Sequence, residues 1–401
     1  MILGIWLGCN LVSPGSWALE AGVTEQSIRI GANTALEGDH KHNALSLKKG
    51  IDTALASQTV RGLRVEYMAI NDFYDPKLSV AAISQLLDKG VFAILGSYGS
   101  PTVKATLPLL AEKKVPVIAP FSGAAFTGPG EVLNFRASYA SEVESVVSAA
   151  LAGGVKPNEV CAYVQNDAFG VSGLTGLRSA MAKHGAQDLV AKLDQIIALP
   201  GVNPARNGLG PVGVYEKDII SGTSAYNSLK KWETDNGVRC RLVAMAAVYE
   251  PAVNFIAYGR AYKNEPWIYS VTSNVTGDRL QILLKEKKVT DKVIATEVVP
   301  HLNSSLAVVA EARKALGSDF NPVSLEGYLD GKLFLTILQA VEGPLTRENF
   351  LKAARRQLHD LGGIKVDFTT SNQGYNYVGS FLLRDGQFAP ITTQELTQLF
   401  K

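Results

Sequence analysis

Residues 91–140 read VFAILGSYGSPTVKATLPLLAEKKVPVIAPFSGAAFTGPGEVLNFRASYA, and this stretch decides the fold. Phe92 to Leu95 is a short apolar run ended by Gly96, and Val115 to Ala119 is a second. Between them Thr102 to Lys113 predicts a helix with Leu107, Leu109 and Leu110 on its inner side. Apolar runs of strand length alternating with helices mark a parallel sheet covered on both faces. Ligands of such sheets lie beyond the carboxyl ends of the strands. The loops at those ends, residues 97–102 (SYGSPT) and 120–124 (PFSGA), are small and rich in hydroxyls and glycine. Ser100 or Thr102 can cap the following helix and leave backbone N–H groups facing the loop, a polar cradle for acceptor atoms.

The same alternation extends in both directions. Upstream, strands at Ile28–Ala32 and Leu63–Ile70 alternate with helices at Asn43–Ala56 and Lys77–Lys89, giving a doubly wound, Rossmann-like α/β lobe. Near Phe135–Ser138 the pattern restarts. Strands are expected at Glu159–Val164, Leu189–Leu193, Leu242–Ala246 and Trp267–Ser270, with helices at Ser141–Gly153, Gly173–His184, Asn227–Asp235 and Ala252–Tyr262. That is a second α/β lobe. Ala198–Ser224, rich in glycine and proline, reads as a long loop without regular structure, and a loop of that length is functional or mobile. Helices near Ser304–Leu316, Pro322–Val341 and Arg347–Leu358 follow, and Ile364–Phe388 alternates like a hairpin with Tyr377, Gly379, Phe381 and Leu383 on one face.

Composition narrows the function. Of 401 residues 46% are hydrophobic and 19% charged, and the net charge of +2 argues against a nucleic-acid partner, which needs a concentrated basic face. Met1–Ala18 is apolar and then small, a leader or signal segment with a cleavage site near Ala18, although it lacks a positive n-region. Leu7-Gly8-Cys9 resembles a lipid-attachment site, so a lipid anchor on Cys9 is the alternative. No apolar run reaches the ~20 residues that span a bilayer. Cys161 and Cys240 lie in or beside apolar strands and are expected as buried free thiols, with a disulfide as the alternative in an oxidising compartment.

Several motifs fail on inspection. Gly208, Gly210 and Gly213 spell G-x-G-x-x-G, but no strand precedes them and Pro211 interrupts them. Gly327–Lys332 falls short of a phosphate loop and lies mid-helix. No serine stands in a G-x-S-x-G elbow, and His184, His301 and His359 read as solvated. Glu37, Asp39, His40 and His42 form a cluster that could hold a transition metal, yet solvated loop residues are the expected reading. No catalytic residue, metal or cofactor is assigned. The better constellation is aromatic and hydroxyl-bearing, at strand ends of both lobes: Tyr98, Ser100, Ser122, Phe169, Tyr249 and Thr272, in keeping with sites of apolar walls and few placed polar groups.

The order ILGSYGSPT, PVIAPFSGA, FRASYASEVE, YVQNDAFG resembles the branched-chain amino acid (Leu/Ile/Val) solute-binding proteins of ABC transporters, the type I periplasmic binding protein fold, from about Ile28 to Phe388. The resemblance implies two lobes joined by a three-strand hinge, 27–138 with 301–372 and 139–300 with 373–395, and makes 198–224 an insertion. It implies a periplasmic monomer that captures a small molecule between its lobes and delivers it to an inner-membrane transporter. By position, Ser100 and Ser122-Gly123-Ala124 would hold an α-carboxylate, and Phe169 and Tyr249 would wall the ligand. The acid that usually meets the α-ammonium falls near Thr272, where no acid stands; Glu250 lies beside it, and Glu37 takes the place of an aromatic. A buried ammonium needs a counter-charge. An amino acid held by Glu37 or Glu250 is therefore one expectation, and a larger apolar ligand (an aromatic acid, lipid or sterol) in a remodelled cleft is the other. A ligand-sensing domain of the same fold is a further alternative.

Overall fold

The computed structural model describes residues 20–201, 203–275 and 277–401; the leader and Cys9 lie outside them. The first lobe contains β1 (Ser27–Thr34), α1 (Lys41–Leu55), β2 (Thr59–Val60), β3 (Leu63–Asn71), α2 (Pro76–Asp88), β4 (Ala93–Leu95), α3 (Ser100–Glu112), β5 (Val117–Ile118) and β6 (Val132–Leu133). Its strands order as β2-β3-β1-β4-β5-β6, parallel except for the β2–β3 hairpin. Asp75 caps α2 by accepting from the N–H groups of Lys77 and Leu78, with Pro76 at the first helical position, where its missing N–H costs nothing.

The second lobe follows with α4 (Tyr139–Ala152), β7 (Val160–Gln165), α5 (Ala168–Lys183), α6 (Gln187–Ile197), β8 (Val212–Tyr215), α7 (Thr223–Asn236), β9 (Leu242–Ala246), α8 (Tyr249–Ala257), β10 (Ile268–Val271), α9 (Gly277–Glu286) and β11 (Val293–Glu297). The chain then returns to the first lobe with α10 (Ala307–Leu316), α11 (Pro322–Gln339), α12 (Arg347–Arg356), and the short hairpin β12 (His359–Asp360) and β13 (Lys365–Val366). It ends on the second with β14 (Gly379–Arg384), β15 (Gln387–Ile391) and α13 (Thr393–Gln398), and the second sheet runs β15-β14-β11-β10-β9-β7-β8. Two of the crossing segments are bonded together: the Asn134 N–H donates to Asn372 O (2.7 Å) and the Gly374 N–H to Asn134 O (2.9 Å).

Backbone contact fixes how α11 docks. A Cβ on Gly50 would stand 2.1 Å from Ser324 O, and one on Gly327 2.1 Å from Leu47 O. Glycine at both positions lets α1 and α11 pack main chain to main chain. The glycines of residues 327–332 serve helix packing rather than phosphate binding.

Five expectations are corrected. Leu189–Leu193 is helical, because Leu189, Val190, Leu193 and Ile196 bury one face of α6 at helical spacing. The strand comes instead from inside 198–224: Val212–Tyr215 is the buried edge β8, paired in parallel with β7. Cys161 and Cys240 form a disulfide with Cα atoms 5.8 Å apart, since sheet pairing sets Cys161 opposite Val243. His359 is buried, its Nε2 bonding Ala354 O at 3.1 Å. The expected single hairpin over Ile364–Phe388 is two, with Tyr377 ahead of β14.

Candidate functional site

The strand-end loops of the two sheets face one another. From the first lobe come the loops after β1, β4 and β5; from the second, those after β7, β8, β9 and β10. The structure holds these surfaces together by direct bonds. Asn43 Nδ2 donates to Asn274 O at 2.8 Å, Ser172 Oγ to Gly123 O at 3.1 Å, and an Arg136 Nη2 N–H to Ser273 Oγ. His40 Nε2 lies 3.9 Å from Asp218 Oδ1, and Lys217 Nζ sits 5.3 Å above the Tyr74 ring.

The expected site residues divide. Ser100 and Ser122 are brought together, their hydroxyls 2.7 Å apart, and the Ala124 N–H donates to Ser122 Oγ at 3.2 Å; both serines are buried. Gly123 fits because a Cβ there would stand 2.7 Å from the Tyr139 ring and N–H. Tyr98 stacks on Phe121 at 5.3 Å and meets Tyr74 edge-on at 5.8 Å. Phe169 packs on Tyr139 at 4.6 Å. Tyr249 lies under the Arg279 guanidinium, 4.8 Å from the ring centroid, with His42 edge-on at 6.5 Å.

Neither substitute acid is delivered as an open counter-charge. Glu250 is ion-paired with Arg279 at 2.6 Å, and Glu37 is exposed and outside the cavity lining. Thr272 is buried and donates to Asn274 Oδ1 at 2.7 Å. Next to it, Ser273 gives both its N–H (2.7 Å) and its hydroxyl (2.9 Å) to the Glu142 carboxylate. Asp39, His42, Asn43, Tyr98, Tyr249 and Arg279 line what space remains, a cavity of about 10 Å³, room for one water at most. Among the described residues no group of His, Cys, Asp and Glu is arranged to hold a metal. His40 instead packs on Tyr74, ring centroids 4.1 Å apart.

Arg279, Tyr74, Asn43, Asn274 and Arg136 escaped the sequence reading. Asn43 and Asp39 stood in loop or cap contexts already noticed, whereas Arg279 lies on a helix the sequence reading did not mark. Burial lowers the His40 and His42 pKa values and pushes Tyr139 up to about 12; Tyr74 and Tyr98 are also raised by burial. Beneath the cleft Arg136 Nε lies 3.4 Å from Glu326 Oε1 on α11. Glu142 and Asp330 are buried close by, and burial raises both carboxyls. Glu326 is pushed to about 7 by burial, against the pull of Arg136.

Comparison with known proteins agrees with this architecture. A family model described as periplasmic binding protein matches residues 27–195. No curated protein matches the chain. Among solved structures, a possible leucine/isoleucine/valine-binding protein from Rhodopirellula baltica is 25% identical, with 92% of this chain and 98% of that one covered and a TM-score of 0.77. A fatty acid ABC transporter substrate-binding protein from Thermomonospora curvata is 17% identical (95% and 96% covered, TM-score 0.73). A solute-binding protein of an ABC transporter from R. palustris, in complex with 4-hydroxybenzoate, is 18% identical (91% and 96% covered, TM-score 0.69).

Proposed function

Starting from a chain with the type I periplasmic binding protein fold, we propose that it is the solute-binding component of an ABC-type importer. It captures a small organic molecule between its lobes in the periplasm and presents it, as a monomer, to a membrane transporter. No helix among the described residues is long and apolar enough to cross a membrane, so in this reading the transporter is a separate partner. The observation that supports the reading is the set of bonds joining the two lobes, from Asn43 on α1 to the Asn274 carbonyl and from Ser172 on α5 to the Gly123 carbonyl. Such contacts form only when the lobes close, and hinge closure around a ligand is the working motion of this architecture. The reading gives the protein no catalytic role and no cofactor.

For the ligand, an apolar or aromatic acid is favoured over a zwitterionic amino acid. An ammonium brought into the cleft would find Glu250 already neutralised by Arg279 and no acid at Thr272. The amino-acid alternative rests on Asp39, which lines the rim of the cavity. Native mass spectrometry of protein taken from its own periplasm, followed by denaturing extraction, separates the two. An organic acid is expected; a retained amino acid would overturn the ligand preference, and a protein that never retains a small molecule or closes on one would overturn the function.

A further inference from the structure

The strand-end cavity is filled by the protein's own rings, yet a much larger space lies beside it. A groove of about 870 Å³ opens between the lobes on the α3–α5 flank, within the roughly 300–1,000 Å³ of small-molecule sites. One wall belongs to the first lobe, with Lys104 on α3 and the segment around Ala124 and Phe126. The other belongs to the second, with Val171 on α5 and Ile197, Leu199, Gly201, Pro204 and Arg206. Most of the lining is small or apolar, so the groove is shaped for a flat ring or a chain.

Its few charges are unequal. Asp167 faces the groove but spends both oxygens on the protein: Oδ1 accepts from the Phe169 and Gly170 N–H groups (2.9 and 3.4 Å) and Oδ2 from Gln165 (2.6 Å). Arg206 is buried, and its guanidinium donates only to neutral acceptors, Ile196 O (3.0 Å), Asn166 Oδ1 (2.6 Å) and Ile197 O (3.4 Å). Glu216 and Asp167 act on it through space without a direct bond, and Glu216 accepts from Asn166 Nδ2 at 2.7 Å instead. Lys104 is exposed and makes no ion pair among the described residues. An apolar trough with two cations and one preoccupied carboxylate complements an apolar body bearing a negative head.

We propose that this groove, rather than the filled strand-end cavity, holds the captured ligand, and that the ligand is an amphipathic carboxylate whose acid group meets Lys104. The proposal rests on the solute-capture reading and names its ligand class and seat. Its two walls belong to opposite lobes, so a molecule held there touches both.

The test uses decanoate, with decan-1-ol as uncharged control, titrated calorimetrically into the delipidated full chain. Three variants are compared: Lys104→Glu and Thr175→Trp at the groove, and Arg279→Met at the strand-end cavity. Thr175 is exposed on α5 and lines the groove, so a tryptophan there fills space without entering the core. Wild-type protein is expected to bind decanoate more tightly than decanol. Lys104→Glu should weaken decanoate by about fivefold to tenfold, the scale of reversing an exposed charge pair, and leave decanol unchanged. Thr175→Trp should weaken both, and Arg279→Met neither. Decanoate affinity unmoved by both groove variants, or moved only by Arg279→Met, overturns the assignment. So does a wild-type protein that ignores decanoate while retaining another molecule in native mass spectrometry, a result that leaves solute capture standing. Retention of nothing sinks capture itself and the groove with it.

Discussion

Glu326→Gln isolates one carboxyl of the buried charge cluster between the lobes. Burial moves Glu326 from the ordinary 4.5 to about 7. Below pH 4.5 the folded and unfolded states both carry its proton and the group contributes no difference. Between 4.5 and 7 the folded state still binds a proton that the unfolded state has lost, so stability falls as pH rises; above 7 the cost is complete. At about 1.4 kcal/mol per pH unit of displacement, the span of about 2.5 units amounts to at most about 3 kcal/mol. Glutamine keeps the shape and has no proton to lose, so the variant should gain on the wild type by up to that amount between pH 4.5 and 8. Asp330 works in the same direction: its carboxyl is raised by burial and by Glu326, and a neutral residue 326 relieves the second of these, so its own cost at higher pH shrinks in the variant. His40 and His42, lowered by burial, tilt stability the opposite way, but equally in both proteins, so they cancel in the difference. Urea unfolding followed by circular dichroism at pH 5, 6, 7 and 8 gives that difference directly. A gap that is flat with pH, or that moves in favour of the wild type as pH rises, refutes the reasoning.

Three further outcomes follow from the same contacts. Arg136→Met removes the buried cation facing Glu326, so a loss of about 3–5 kcal/mol is expected, smaller at pH 5 than at pH 8 because the carboxyls then protonate; denaturant midpoints at the two pH values check it. Cys161→Ala with Cys240→Ala opens a loop of 79 residues, for which about 2–4 kcal/mol is typical, and equal melting temperatures with and without the bridge would show that it contributes nothing. Asn43→Ala deletes the bond to Asn274 O and leaves a buried carbonyl unpaired at about 1–3 kcal/mol. It should weaken ligand binding by about fivefold to a hundredfold and enlarge the radius of gyration by X-ray scattering, whereas unchanged affinity and radius would show that this bond does not hold the lobes.

The fold was legible wherever apolar runs stood between turn residues. The 91–140 stretch yields β4, α3 and β5 in place, with boundaries off by one or two residues. It failed at 189–215 for a local reason. LVAKL carries strand-like residues, but Ile196 completes a helical face. VGVY hides in a glycine-rich segment because Gly213 must be small: a Cβ there would stand 2.6 Å from Ala225 O on α7. The disulfide, which the sequence left as an alternative, and the Arg136 cluster were out of reach for a different reason. Glu326 is 190 positions from Arg136 and Cys240 is 79 from Cys161, and only the completed topology brings them together.

The candidate site shows the same limit in a sharper form. Loop positions follow from where strands end, so Tyr98, Ser100, Ser122, Phe169 and Tyr249 could be placed at the cleft from sequence. Whether an aromatic residue at a strand end walls a cavity or fills it depends on what stands opposite. Tyr98 meets Phe121 and Tyr74 within its own lobe, and Tyr74 is in turn held from across the cleft by Lys217. Rings that pack on one another within a lobe, together with the His42–Tyr249 pair across the lobes, consume the space they would otherwise line. In the proposed reading the ligand then lies beside them, on the α3–α5 flank where the lobes leave room.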